Sequence, residues 1–318
     1  MAGIASRRVM GAMRNAAGLL SPDKTLDMVP DAVARHCVPV RWAFGAGARP
    51  VVPGLRQRSS LWHADISAAK DEGVWGLDGP YCLWVWPGAW AACTALAADP
   101  AMLTNVDVVV DVGCGGGIIG LVAQSLGVKR VVLNDICPVA AITSAAAVTL
   151  SGSNVAGVTG PGRWLHGSNA WAEHDATATA GDSPAADWAG AWIEAQDLIG
   201  AAGPERGGGA PTGGGECRVL VVVGDVMYDG RSTSAVSSWC ERLVAGDTSS
   251  LEARPWMRAA ARGRAVRASV LACSPRWPAA VEAGPGARGW ELQASMTLPS
   301  DVGTLCHGLG ECDVWRLG

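Results

Sequence analysis

The stretch Asp111-Val112-Gly113-Cys114-Gly115-Gly116-Gly117-Ile118-Ile119-Gly120 places five glycines in ten residues between two apolar segments. Upstream, Val106–Val110 is β-branched and broken only by Asp107, which reads as a buried parallel strand. Downstream, Ile118–Leu126 has the apolar content of a packed helix. Strand, glycine turn and helix in this order commit the chain to a βα unit of an α/β fold. The glycines admit positive φ and let another molecule approach the backbone closely. The helix start then turns unpaired N–H groups and a partial positive charge toward an anion.

Two ligand classes suit this turn. Gly115-x-Gly117-x-x-Gly120 fits the dinucleotide fingerprint, with Asp135 at the right distance for a ribose hydroxyl. Asp111-x-Gly113-x-Gly115-x-Gly117 fits an S-adenosylmethionine fingerprint equally well. There Asp111 and the backbone hold the methionine end, and Asp135 takes the ribose. The loop alone leaves both open, beside a plain tight turn.

With 318 residues, nearly half of them apolar, the chain can bury a large core. A net charge of −4 excludes a global attraction to nucleic acid or anionic membrane, and no apolar run is long enough to span a bilayer. The ten cysteines form no Cys-x-x-Cys pair, and Cys93, Cys240 and Cys273 lie in apolar stretches. Reduced, buried thiols and no metal site are expected. Fifteen Trp against two Tyr and one Phe mark a compositional drift, so a single Trp says little about function.

Met1–Leu20 carries Arg7, Arg8 and Arg14, and no acid precedes Asp23. Residues 1–22 read as an organellar transit peptide or as a disordered start. Residues 23–75 read as an N-terminal extension over the main domain. They show no firm periodicity beyond a short helix at Asp31–His36, and Pro39, Pro50 and Pro53 interrupt the residues after that helix. From residue 76 onward the pattern is regular. Pro87 suits the first turn of a helix that continues over Ala89–Ala98. Arg130–Asn134 is a second strand ending at Asp135, and Pro138–Leu150 is the helix after it.

Residues 155–216, rich in glycine from Gly200 to Gly215, read as a loose insertion. Ala191–Leu198 is a candidate third strand within it, ending at Asp197. Arg218–Val223 is the clearest strand and runs into Gly224-Asp225-Val226-Met227-Tyr228-Asp229. Carboxylates and a phenol at a strand end are a strong site signal. Val236–Leu243 is a helix and Arg267–Cys273 a fifth strand. Glu291–Leu298 and Asp313–Leu317 should close the sheet as an antiparallel hairpin.

Several motifs occur in one order: Trp86-Pro87-Gly88, the glycine loop, Asn134-Asp135-Ile136, Gly224–Asp229, Ser274-Pro275-Arg276-Trp277-Pro278 and Val314-Trp315. Together they resemble the electron transfer flavoprotein β-subunit lysine methyltransferase family, within the class I seven-stranded protein-lysine methyltransferases. The resemblance runs from about Gly79 to the C-terminus. It implies a Rossmann-like α/β domain with a mostly parallel seven-stranded sheet and a closing antiparallel hairpin. It also implies S-adenosylmethionine as methyl donor and a lysine on a protein as acceptor.

Carried over residue by residue, it has Asp111, Gly113, Gly115 and Gly117 cradle the methionine end. Asp135 binds the ribose, Ile136 lies against the adenine, and Asp197 reads its amino group. Trp86 and Gly88 close over the donor, while Asp225 and Tyr228 face the acceptor amine. A monomer in the mitochondrial matrix is expected, acting on electron transfer flavoprotein β-subunit or a similar protein. A plastid address would look alike, and a cytoplasmic location remains open. The expansion over 155–216 departs from the family's compact pattern. The rival readings are a small-molecule methyltransferase on this fold, an NAD-dependent oxidoreductase and a non-catalytic binding module.

Overall fold

The computed structural model describes residues 37–44, 51–57, 85–135, 140, 144, 147, 157–159, 215–227, 230–252, 255–299 and 310–318. The reading of residues 1–22, the helix at Asp31–His36, most of the helix at Pro138–Leu150 and the strand at Ala191–Leu198 lie outside them.

Two strands come first, β1 (Cys37–Ala43) and β2 (Val51–Gln57), then α1 (Pro87–Ala98). The central unit is β3 (Val108–Val112), α2 (Ile118–Ser125) and β4 (Val131–Asn134). After it come β5 (Gly157–Thr159), β6 (Cys217–Val223), α3 (Gly230–Val244), α4 (Ser249–Glu252) and α5 (Pro255–Ala261). The chain ends with β7 (Val266–Pro275), α6 (Pro278–Ala283), β8 (Glu291–Thr297) and β9 (Glu311–Leu317). One mixed sheet has the order β5-β4-β3-β6-β7-β9-β8. The pairs from β5 to β7 are parallel, and β9 is antiparallel to both β7 and β8.

Every residue of β3 and β4 is buried, because both faces of the sheet are covered. Alternation sorts the side chains into two layers. Val109, Val131, Leu133, Leu220 and Val222 pack with α1 and α2. Val108, Val110, Val112, Val219 and Val221 pack on the opposite face with Val236, Trp239 and Leu243 of α3. Asp107, the break in the apolar run, ties the amino edge together. Its Oδ2 accepts from the Arg218 N–H at 2.9 Å and from Arg264 Nη1 at 3.3 Å.

Two segments carry strands that the sequence pattern did not show. Within residues 23–75, β1 and β2 pair antiparallel, with Pro39 opposite Leu55 and Pro53 opposite Arg41. In a two-stranded ribbon both strands are edges, so a proline's missing N–H can face outward without breaking the ladder. Within 155–216, Gly157–Thr159 pairs with Val132–Asn134 at the edge of the sheet. Three residues beginning with glycine are too short to show alternation.

Phe44, 2% exposed, leads out of β1 into the core layer beneath α1 and α2. Phe44→Ala should lower unfolding free energy by about 3 kcal/mol, read from the urea midpoint at unchanged slope. An unshifted midpoint would mean that the ribbon does not dock on the core.

Candidate active site

In the parallel part of the sheet, Val112 is in register with Asn134 on one side and Val223 on the other. The residues just beyond these strands therefore share one edge: the glycine loop after β3, Asp135 after β4 and Gly224-Asp225 after β6. The chain moves outward from β3 through β4 to β5, then returns to β6 on the other flank. That reversal opens a crevice at the carboxyl edge where α/β sheets take ligands.

The glycine loop is held at several points. Gly113, Gly115 and Gly117 have φ of 67°, 50° and 75°, a region that side chains disfavour. A Cβ on Gly113 would lie 2.1 Å from Val226 Cγ1. The Cys114 N–H donates to Asn134 O at 2.9 Å, and the Gly115 N–H donates to Asp135 Oδ2 at 2.8 Å. Asp135 is thus a clamp on the loop, whatever else it binds.

Asp111 shares the strand parity of Val109 and turns its carboxyl toward α2. Its Oδ2 accepts from the Gly120 N–H at 3.1 Å. Gly117, at the start of α2, has no side chain to cap the helix, so Asp111 does the capping from inside the strand. Asp111 is fully buried, and its Oδ1 has no hydrogen-bond partner among the described residues. Burial pushes its pKa from 3.8 to about 7, against the Gly120 hydrogen bond and with a small further push from Asp135.

A second aspartate repeats this arrangement. Helix α1 starts after Trp86, which makes no side-chain cap, and Asp225 Oδ2 accepts from the Gly88 N–H. A Cβ on Gly88 would lie 2.4 Å from Cys273 O and 2.7 Å from Asp225 Oδ2. Asp225 is half-buried as a residue, but its Oδ1 is enclosed and has no partner among the described residues. Burial raises its pKa from 3.8 to about 7, opposed by the Gly88 hydrogen bond, the nearby Trp277 indole and the Ala89 N–H. Gly88 was expected to close over a ligand. In the structure it contacts Asp225 and β7, because the second position of a helix must direct its N–H to an acceptor.

The structure thus brings Asp111, Gly113, Gly115, Gly117, Asp135, Gly88 and Asp225 to one edge, with Trp86 half-buried beside them. Ile136, Asp197 and Tyr228 lie outside the described residues. Val226, against Gly113, and Trp277, beside Asp225, were not read as site residues. Their only sequence signal was membership in strand-end motifs. Cys93, Cys114 and Cys273 border the site, and burial pushes their thiols up, which keeps them protonated and unreactive. Among the described residues no His, Cys, Asp or Glu group could hold a metal ion, and no helix is long and apolar enough to cross a membrane.

The chemistry of the edge suits a positively charged group. Asp111 Oδ1 is an orphan acceptor in a buried place, where an ammonium group would be stabilised strongly. The side-chain-free loop leaves backbone exposed beside it.

No family model matches the chain. The electron transfer flavoprotein beta subunit lysine methyltransferase of Xenopus laevis is 34% identical over 95 residues. The match spans 30% of this chain and 38% of that relative's length. Among solved structures, ribosomal protein L11 methylase from Lactobacillus delbrueckii subsp. bulgaricus aligns at 11% identity with a TM-score of 0.29. That alignment covers 68% of this chain and 76% of the other. A Pyrococcus horikoshii protein described as a putative RNA methyltransferase aligns at 12% identity and a TM-score of 0.32, covering 72% and 82%.

Ionising Asp111 costs the folded state more than the unfolded chain. Because its folded pKa is raised, its contribution is fully present below pH 3.8 and is lost as pH rises through about 7. Asp111→Asn keeps an acceptor for Gly120 and cannot ionise. It should therefore be more stable than the wild type at pH 8, by up to about 4 kcal/mol, with the advantage gone near pH 4. Calorimetric melting across that range checks the sign.

Proposed function

We propose that the chain is an S-adenosylmethionine-dependent methyltransferase whose acceptor is a lysine side chain on a protein. The single observation that carries the proposal is the pair of buried orphan oxygens at one sheet edge: Asp111 Oδ1, where β3 enters the glycine loop, and Asp225 Oδ1, next to the Val226 that lies against Gly113. The antiparallel β9–β8 pair beside β7 supports the class I methyltransferase arrangement. The partial match to the Xenopus laevis enzyme supports a lysine acceptor and electron transfer flavoprotein β-subunit, or a protein like it, as substrate.

When bound, S-adenosylmethionine supplies a methyl group carried on a positively charged sulfur. Asp111 receives the donor's ammonium through its unpartnered Oδ1. Gly113, Gly115 and Gly117 hold the methionine end by their backbone, which their positive φ values turn through the loop without side chains. Asp135, already fixed by Gly115, takes the ribose hydroxyls, with Ile136 and Asp197 assigned to the adenine. Trp86 covers the donor from the start of α1.

The acceptor needs to be in line and unprotonated. A free lysine, with a pKa of about 10.4, lies about 4.6 kcal/mol from its neutral form at pH 7. A carboxylate raises an amine's pKa, so Asp225 does not deprotonate the acceptor by its charge. Its work is to draw in the ammonium and orient an N–H toward Oδ1, while Oδ2 stays committed to Gly88. Tyr228 walls the channel. Desolvation and the neighbouring positive charge push the amine toward neutrality, and solvent carries the proton away. The organellar address of residues 1–22 and a monomeric state belong to the same proposal.

Asp225→Asn retains an oxygen for Gly88 and removes the charge. It should bind S-adenosylmethionine nearly as the wild type does and lose turnover by about a hundredfold, roughly 2.7 kcal/mol. Undiminished labelling of protein from labelled donor would remove Asp225 from this role. Saturating S-adenosylmethionine, and not NADH, should raise the melting temperature of the wild type. Stabilisation by NADH alone would favour the oxidoreductase reading. Label confined to metabolites of an organellar extract would favour a small-molecule acceptor.

A further inference from the structure

Asp225 follows β6 and Trp277 follows β7, two adjacent parallel strands with Val223 in register with Ala272. Two buried polar atoms at this edge have no hydrogen-bond partner among the described residues. One is Asp225 Oδ1, an acceptor when ionised, and the other is Trp277 Nε1, a donor only. Buried indole N–H groups normally find an acceptor. The two segments meet here: a Cβ on Gly88 would touch both Asp225 Oδ2 and Cys273 O of β7, and Val226 and Trp277 pack against the same core layer. The indole accordingly draws Asp225's pKa downward against the effect of burial.

Trp277 is well anchored for such a role. Its backbone N–H donates to Pro275 O at 2.6 Å, Pro278 opens α6 directly after it, and its ring packs on the core layer that includes Ala280 and Trp290.

We propose that Trp277 is a positioning residue for Asp225, its indole N–H closing on Oδ1 whenever the carboxyl is ionised and holding it toward the acceptor amine. A protonated Oδ1 would set O–H against N–H, two donors facing each other, so the indole favours the ionised form. Among the described residues, the other groups around Asp225 do not compete for this role. Gly88 and Ala89 donate from the backbone of α1. Cys273 on β7 carries a thiol that burial keeps protonated. Arg276, next to Trp277 in sequence, is exposed and engaged by Asp313 and Glu311. The catalytic half of the inference rests on the methyl-transfer reading, whereas the contact itself does not.

The contact is tested on donor-free protein by carboxyl ¹³C NMR, with the Asp225 signal identified by its loss in Asp225→Asn. In Trp277→Phe the Asp225 midpoint should rise by about one pH unit, the size expected when a charged acceptor loses a hydrogen bond. An unmoved midpoint overturns the contact. One indole ¹⁵N–¹H signal of the wild type should also move with that midpoint and stop moving in Asp225→Asn. No such signal overturns the contact even if Trp277→Phe does not fold.

In turnover, Trp277→Phe should keep its donor affinity. Its kcat should fall about fivefold at pH 7 and recover by pH 9, as the ionised fraction of Asp225 falls and returns. An equal loss at every pH overturns the positioning role. Absence of methyl transfer in the wild type overturns that role together with the reading beneath it, while the NMR result stands separately.

Discussion

Two of the helices that begin at the carboxyl edge of the sheet, α1 and α2, receive no cap from the residue that precedes them. Gly117 before α2 has no side chain, and Trp86 before α1 makes no side-chain bond to the helix. Both caps come from aspartates at the ends of central strands, Asp111 for α2 and Asp225 for α1. This exchange fixes how each helix meets the sheet, and with it the glycine loop and the position of Gly88. It also commits one oxygen of each carboxylate to structure and leaves the other enclosed.

The arrangement carries an energetic penalty. A buried carboxyl with one hydrogen bond is stabilised at the helix start but poorly solvated, and both groups are pushed to about 7. On the proposed function, an arriving ammonium would relieve this cost. The opposite edge shows the contrast. Asp107 meets both the Arg218 N–H and Arg264, and it serves the sheet alone.

The central βα unit was readable because its signals are local. The glycines of the loop, the apolar run before it and the helix after it each follow from residue type at fixed spacing, and Asp135 follows from strand length. The ribbon of β1 and β2 was not readable, because prolines that break central strands are harmless on edges. Strand β5 was hidden by its brevity. The pairing of Gly88 with Asp225 could not be read either. It joins residues 137 positions apart, and nothing in either segment names the other.

The sequence alone determined the α/β class, the order of the main elements, the positive-φ turn and which carboxylates stand at strand ends. Those depend on torsional preferences and on alternation along a single segment. Only tertiary structure decided which oxygen of each aspartate is bound to a helix start and which is orphaned. It alone set Val226 against Gly113 and Trp277 beside Asp225. These are consequences of register between strands and of burial from both faces. They arise from distances across the sheet, which no local pattern encodes.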